Sequence, residues 1–172
     1  MTGVEIRHPG IADAERIGAI HVGAWQWAYR GLMPDEFLDG LDPVARGETW
    51  AGRLADQVSC LGQVVAVSGG EVVGFASFGE SRDDDAALHT GEVLAIYLDP
   101  AHVGTGVGRE LFGAALAKLR DAGNQRATVW VLDTNERGRR FYEMAGMQPD
   151  GATKSDEIRG FPISELRYGM PL

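Results

Sequence analysis

Apolar residues follow two rhythms along this chain, one of helical spacing and one of strict alternation, and their boundaries predict the elements. Val4-Glu5-Ile6-Arg7 alternates and reads as a first strand. From Asp13 or Ala14 onward, Ile17, Ile20, His21, Ala24, Trp25 and Ala28 recur on one helix face until Gly31-Leu32-Met33-Pro34 breaks the pattern. Pro34 opens a short helix through Leu38, and Asp42-Pro43 opens another that carries Trp50 and Leu54. Residues 63–68 and 72–79 are strands joined by Gly69-Gly70, a strong hairpin turn. A polar loop over 81–91 leads into a fourth strand over 91–99, a helix over 106–122 and a fifth strand over 125–133. A helix over 135–145 ends at Gly146, and residues 153–158 and 163–168 read as a closing antiparallel pair. The order predicts a mixed α/β sheet of about seven strands.

Composition narrows the classes. With 172 residues and 44% hydrophobic content, the chain has material for one domain with a real core. No apolar run approaches the roughly 18 residues of a membrane span, and the N-terminus lacks the features of a signal peptide. The single cysteine, Cys60, cannot form an internal disulfide, so a reducing cytoplasm fits, and the residue reads as a small buried hydrophobe. A net charge of −9 opposes nucleic-acid binding and favours a cationic or neutral small substrate. The four histidines and one cysteine show no metal-ligand spacing, so no metal is expected.

The chemistry concentrates in two segments. The first runs from the apolar Leu94–Leu98 stretch through Asp99-Pro100 to Val103-Gly104-Thr105-Gly106-Val107-Gly108-Arg109. A glycine-rich turn that opens a helix leaves backbone N–H groups unpaired at the positive end of a helix dipole, ready for phosphate. Arg109-Glu110 after Gly108 does not fit the Walker pattern, and the single residue between Gly106 and Gly108 does not fit the dinucleotide fingerprint. The second segment is a β-branched and aromatic strand, then Asp133-Thr134-Asn135 as candidate helix caps, then Phe141-Tyr142 and Gly146.

Together, in this order, the two segments resemble the signatures of the GNAT N-acetyltransferase superfamily. That resemblance implies a mostly antiparallel sheet with one splayed parallel pair, the fourth and fifth strands, flanked by about four helices. It implies acetyl-CoA as co-substrate, with its pyrophosphate on the backbone of Val103, Gly104, Thr105, Gly106, Val107, Gly108 and Arg109. Val103 stands where the family usually has Gln or Arg. The pantetheine arm would pair with Ile96, Tyr97 and Leu98, and a backbone N–H near Ile96 would face the thioester oxygen. Asn135 would hold pantetheine, cap its helix, or both. Tyr142 would protonate the departing sulfur; its other reading is a core tyrosine. Arg139 or Arg140 could reach the CoA phosphates. The segment Trp25–Pro34 followed by Phe37-Leu38 and Trp50 resembles a large bacterial group of the same superfamily. A homodimer is the family's habit.

An amine attacks a thioester only when neutral, and an alkyl ammonium has a pKa near ~10, so a base or water relay must take its proton. Glu92, at the start of the fourth strand, is the first candidate; its other reading is a strand-end carboxylate in solvent. His89 and Glu80 are alternatives. Trp25, Tyr29 and Phe78, with Tyr97, are candidates to line the acceptor pocket or to pack in the core. Asp83-Asp84-Asp85 reads as a solvated loop. The expected activity is transfer of an acetyl group to a small primary amine by direct attack, with no acetyl-enzyme. Two other readings stay open: a catalytically weak acyl-CoA-binding regulatory module, and an α/β domain that binds no nucleotide.

Overall fold

The structure, a computed structural model, describes residues 3–56 and 62–172; Cys60 lies outside the described residues. Strands β1 (Glu5–Arg7), β2 (Gly62–Ser68), β3 (Glu71–Glu80), β4 (Thr90–Leu98), β5 (Arg126–Leu132), β6 (Gln148–Ile158) and β7 (Phe161–Pro171) form one sheet in the order β1-β2-β3-β4-β5-β7-β6. The α-helices are α1 (Ala14–Ala28), α2 (Asp35–Asp39), α3 (Pro43–Ala55), α4 (Val107–Asp121) and α5 (Glu136–Met144). Five helices thus stand where about four were expected; α2 is a single short turn set off by Pro34 and Gly40. Gly69 and Gly70 adopt φ of 60° and 86°, the double left-handed geometry that joins β2 to β3 tightly.

Every neighbouring pair in the sheet is antiparallel except β4 and β5. Those two are parallel because α4 carries the chain back across the sheet between them. Their pairing covers only Thr90↔Arg126, Gly91↔Ala127 and Glu92↔Thr128, although β4 continues to Leu98 and β5 to Leu132. On its other side β4 stays paired with β3 to Leu98, with a bulge at Leu94 between the pairs Phe78↔Val93 and Ser77↔Ala95. A bulge bends its strand and increases its twist, which carries the distal half of β4 away from β5. The expected splay is therefore present.

The sheet buries both faces. Ile96 and Leu98 pack with Leu111 and Phe112 of α4 and Phe141 and Tyr142 of α5. Ala95 and Tyr97, one step out of phase, pack with Ile17 and Ile20 of α1 and Trp50 of α3. The closing hairpin is longer than its apolar alternation predicts. As an edge strand β6 is mostly exposed on both faces, so no apolar pattern marks where it begins, and a bulge between Pro149 and Thr153 interrupts its ladder.

α1 and α3 cross closely at Gly18 and Gly47. A Cβ on Gly18 would overlap the Gly47 backbone, whereas one on Gly23, in the same helix, would meet nothing within 4 Å. Gly18→Ala is therefore expected to destabilise by about 1–3 kcal/mol despite better helix propensity, while Gly23→Ala gains up to about 1 kcal/mol. At about 2–4 °C per kcal/mol for a chain of this size, thermal melts separate the two in sign. Two melts shifted in the same direction would contradict this account of the crossing.

Candidate active site

The opening between β4 and β5 continues into a cavity of about 650 Å³. Its walls come from β4 (Glu92 to Leu98), the distal half of β5, the end of α1, the turn before α4, the start of α5 and the β6–β7 hairpin. The site thus links both faces of the sheet. Beyond Glu92 the β5-facing edge of β4 has no partner strand. Such backbone groups are costly when buried and need a partner.

At one end lies the glycine turn. Gly104 and Gly106 adopt φ of 81° and 94°, a left-handed backbone that side chains disfavour. Gly108 is glycine for another reason: a Cβ there would lie 3.2 Å from Leu98 and 3.5 Å from Phe141. The first backbone bonds of α4 run from Arg109 and Glu110 to the Gly106 carbonyl. The amides of Gly104, Thr105, Gly106, Val107 and Gly108 find no acceptor among the described residues. A five-amide cradle at a helix N-terminus suits a pyrophosphate. Val103, Gly104, Gly106, Gly108 and Arg109 line the cavity. The side chains of Thr105 and Val107 do not: Thr105 Oγ1 donates to the His102 carbonyl at 2.7 Å, and Val107 is buried in the core. Both residues offer the site only backbone.

Glu92 is the last residue of the parallel pairing and lines the cavity. It is 3% exposed, not the solvated strand-end carboxylate of the alternative reading. Arg82 holds both of its oxygens: the backbone N–H donates to Oε2 at 3.2 Å and the guanidinium meets Oε1 at 3.3 Å. Glu80 and His89 are exposed and line no part of the cavity; His89 occupies a left-handed turn at φ 61°. Of the three residues weighed as the base, Glu92 alone lines the cavity.

Tyr142 faces Glu92's cavity from α5, its ring packed against Phe112 and Phe141. Burial, with a smaller contribution from Tyr97, holds its hydroxyl well above the usual phenol range, so it keeps its proton at neutral pH. No described residue accepts a hydrogen bond from it. Asn135 also lines the cavity and caps α5, its Oδ1 accepting from the Gly138 amide at 3.0 Å. Neither Arg139 nor Arg140 lines the cavity: Arg139 donates to the Tyr168 hydroxyl and the Asp133 carbonyl, and Arg140 is exposed. Arg137, which no sequence pattern singles out, lines the cavity and lies 4.1 Å over the Trp27 ring.

On the α1 side the walls are aromatic. Trp25 and Tyr29 meet edge to face at 5.1 Å, and both line the cavity with Tyr97. Burial raises the Tyr29 and Tyr97 hydroxyls above the ordinary phenol value, so both are neutral donors. Phe78 is a correction: it is buried in the core on the α4 face. Strand alternation puts it on the same side as Ala76, with its ring against Gly62, and it takes no part in the pocket. Trp130, Lys154 and Glu165 complete the wall and were not anticipated; Lys154 pairs with Glu165 at 3.4 Å and lies 4.3 Å over Trp130. Asp84 and Asp85 are exposed, as a solvated loop would have them, but Asp83 and Asp85 both pair with Arg167, and Asp83, largely covered, also accepts from Trp130 Nε1. Among the described residues, no group of three or more His, Cys, Asp or Glu is placed to share a metal ion. Among the described residues, too, no helix is long and apolar enough to cross a membrane.

His21 stacks on Tyr97 at 5.1 Å and its Nδ1 accepts from Trp50 Nε1 at 3.2 Å. Burial, helped by Arg46 and Arg53, lowers its pKa to about 4. A base with a depressed folded-state pKa adds stability that is complete above the unfolded value of about 6.5 and is lost as pH falls towards 4. Melting temperature is expected to fall over that window, and His21→Gln, which keeps an acceptor for Trp50 and does not titrate, should flatten the fall. An equally steep fall in the variant would remove His21 as its source.

Known proteins share this architecture. The profile of the Acetyltransferase (GNAT) family matches residues 22–147. An uncharacterized N-acetyltransferase of Bacillus subtilis, YuaI, is 30% identical over 169 residues, covering 98% of this chain and 93% of its own. The solved structure of the paia N-acetyltransferase of Thermoplasma acidophilum, in complex with coenzyme A, superposes with a TM-score of 0.74 at 18% identity over 99% of each chain. That of yncA from Salmonella typhimurium, with its cofactor acetyl-CoA, gives 0.74 at 23% identity over 98% of this chain and 93% of that one. With the split sheet, the amide cradle and these likenesses together, the chain belongs to the GNAT acetyltransferase family and is an acyltransferase.

Proposed function

We propose that the chain transfers the acetyl group of acetyl-CoA to a small primary amine by direct attack within a ternary complex, as one catalytic unit working in the cytoplasm. The observation that carries this is the parting of β4 from β5 after Glu92, with a buried carboxylate and a protonated tyrosine on the walls of the gap it opens. The gap offers a strand edge to pantetheine, and the amides of residues 104–108 offer donors to pyrophosphate. Val103 removes one side-chain contact and leaves that cradle intact. The similar structures with coenzyme A and acetyl-CoA support the same co-substrate here.

In this reading Glu92 takes the ammonium proton, directly or through one water. The neutral amine then attacks the acetyl carbonyl, while a β4 amide near Ile96 stabilises the charge that develops on its oxygen. Tyr142 donates to the sulfur as the carbon–sulfur bond breaks, and the second proton on the attacking nitrogen, lost as the intermediate collapses, restores the tyrosine, giving free CoA thiol and the amide. No side chain needs to carry the acetyl group.

The cavity is not where the chain's negative charge lies. Arg82, Arg109, Arg137 and Lys154 line it against two carboxylates, Glu92 and Glu165, each already paired with a cation. This favours an acceptor with one reacting amine and an apolar body against the aromatic wall, over a polycation. A panel of primary amines with acetyl-CoA, read by thiol release, tests the function. Turnover with intersecting initial-velocity lines is expected. Parallel lines, with acetyl left on the protein, would overturn direct transfer, and failure across the panel with tight acetyl-CoA binding would favour the regulatory module.

A further inference from the structure

We infer that Arg167, on β7, is a positioning residue for Glu92, acting through the 81–85 loop; the inference rests on reading Glu92 as the base. The loop enters through the Ser81 amide, bonded to the Thr90 carbonyl at 2.9 Å, and then supplies both groups that hold Glu92, the Arg82 amide and guanidinium. Arg82 itself is a weak anchor, since its side chain is 68% exposed. What fixes the loop is the next residue. Asp83 accepts from Trp130 Nε1 at 3.1 Å and from Arg167 at 3.1 Å. Arg167 is 12% exposed at its side chain and spends its whole fork on this task. It meets Asp85 through two bonds of 2.6 and 2.8 Å, and its Nε meets Asp150 of β6 at 2.8 Å.

The connection therefore runs from the far hairpin, over Trp130, into the loop and onto the two oxygens of Glu92. Its geometry matters because β4 and β5 are no longer paired beyond Glu92. The backbone of Glu92 is still held on both sides, by Gly79 and Thr128, but its carboxylate oxygens are held by Arg82 of the loop. Arg167 and Asp83 line neither the acyl path nor the phosphate cradle.

Arg167→Gln is expected to lower kcat about tenfold, since a misplacement of about 1 Å costs up to a hundredfold. KM for acetyl-CoA should stay within about twofold, and Arg167→Lys should recover part of kcat. The decisive measurement is the double-mutant cycle with Glu92→Gln, by single-turnover acetyl transfer. If Arg167 acts through Glu92, Arg167→Gln costs nothing further in the Glu92→Gln protein. An equal loss in both backgrounds, or no loss in either, overturns the inference. Should Arg167→Gln fail to fold, Asp85→Ala, at the exposed end of the fork, runs the same cycle with a smaller expected loss of about threefold. Full turnover in Glu92→Gln would instead remove the base, and the positioning role with it. An inactive Glu92→Gln with additive Arg167→Gln removes only the latter.

Discussion

Glu92→Gln is expected to lower kcat by about 10²–10⁴-fold, the usual worth of a positioned general base. Glutamine fills the same volume and can still accept from the Arg82 amide, so the loop and the strand end should survive. What is lost is the capacity to take a proton. Acetyl-CoA binding, which draws on backbone at the other end of the cavity, should be unchanged within about twofold. The deficit should shrink as pH rises towards the amine's own pKa near ~10, because solvent then supplies the neutral nucleophile. An undiminished kcat at neutral pH would show that the ammonium loses its proton elsewhere. The other carboxylate on the cavity wall, Glu165, would become the candidate.

Tyr142→Phe is expected to lower kcat by about a hundredfold, the low end of the general-acid range. Burial makes the hydroxyl a reliable donor and a reluctant acid at once. It carries its proton at every working pH, yet its pKa lies well above that of an ordinary thiol at about 8.5. The proton that restores Tyr142 is the one the attacking nitrogen loses as the tetrahedral intermediate collapses, so the thiol forms without leaving a tyrosinate. Removing the hydroxyl takes away the donor at the moment charge collects on sulfur and leaves the ring in its packing against Phe112 and Phe141. Acetyl-CoA should bind Tyr142→Phe as it binds the parent. Turnover equal to the parent would return Tyr142 to the core reading.

What the sequence made legible is what depends on local spacing. The glycine turn, the Asn135 cap and Tyr142 each follow closely on one strand, the turn on β4 and the other two on β5 and the helix after it, and the structure brings all three to one cavity. The splayed pair was legible only through resemblance, because nothing local records that pairing stops at Glu92. Phe78 was misplaced since its side of the sheet depends on strand alternation that two equally apolar faces do not reveal. Trp130, Lys154 and Glu165 escaped notice because they meet only after β7 inserts between β5 and β6, and Arg137 because its partner, Trp27, lies on α1, far away in the chain. The anchoring of Asp83 and Asp85 was hidden for the same reason: their partner, Arg167, lies more than eighty residues downstream.

The measurement that reaches the account most directly is backbone hydrogen exchange of the protein with and without acetyl-CoA. Ligand seated as a surrogate strand should slow the amides over residues 94–98 and 104–108 and leave β1, β2 and β6 unaffected. Saturating acetyl-CoA that protects some other surface, or none, would mean that the opening between β4 and β5 is not where the acyl donor lies.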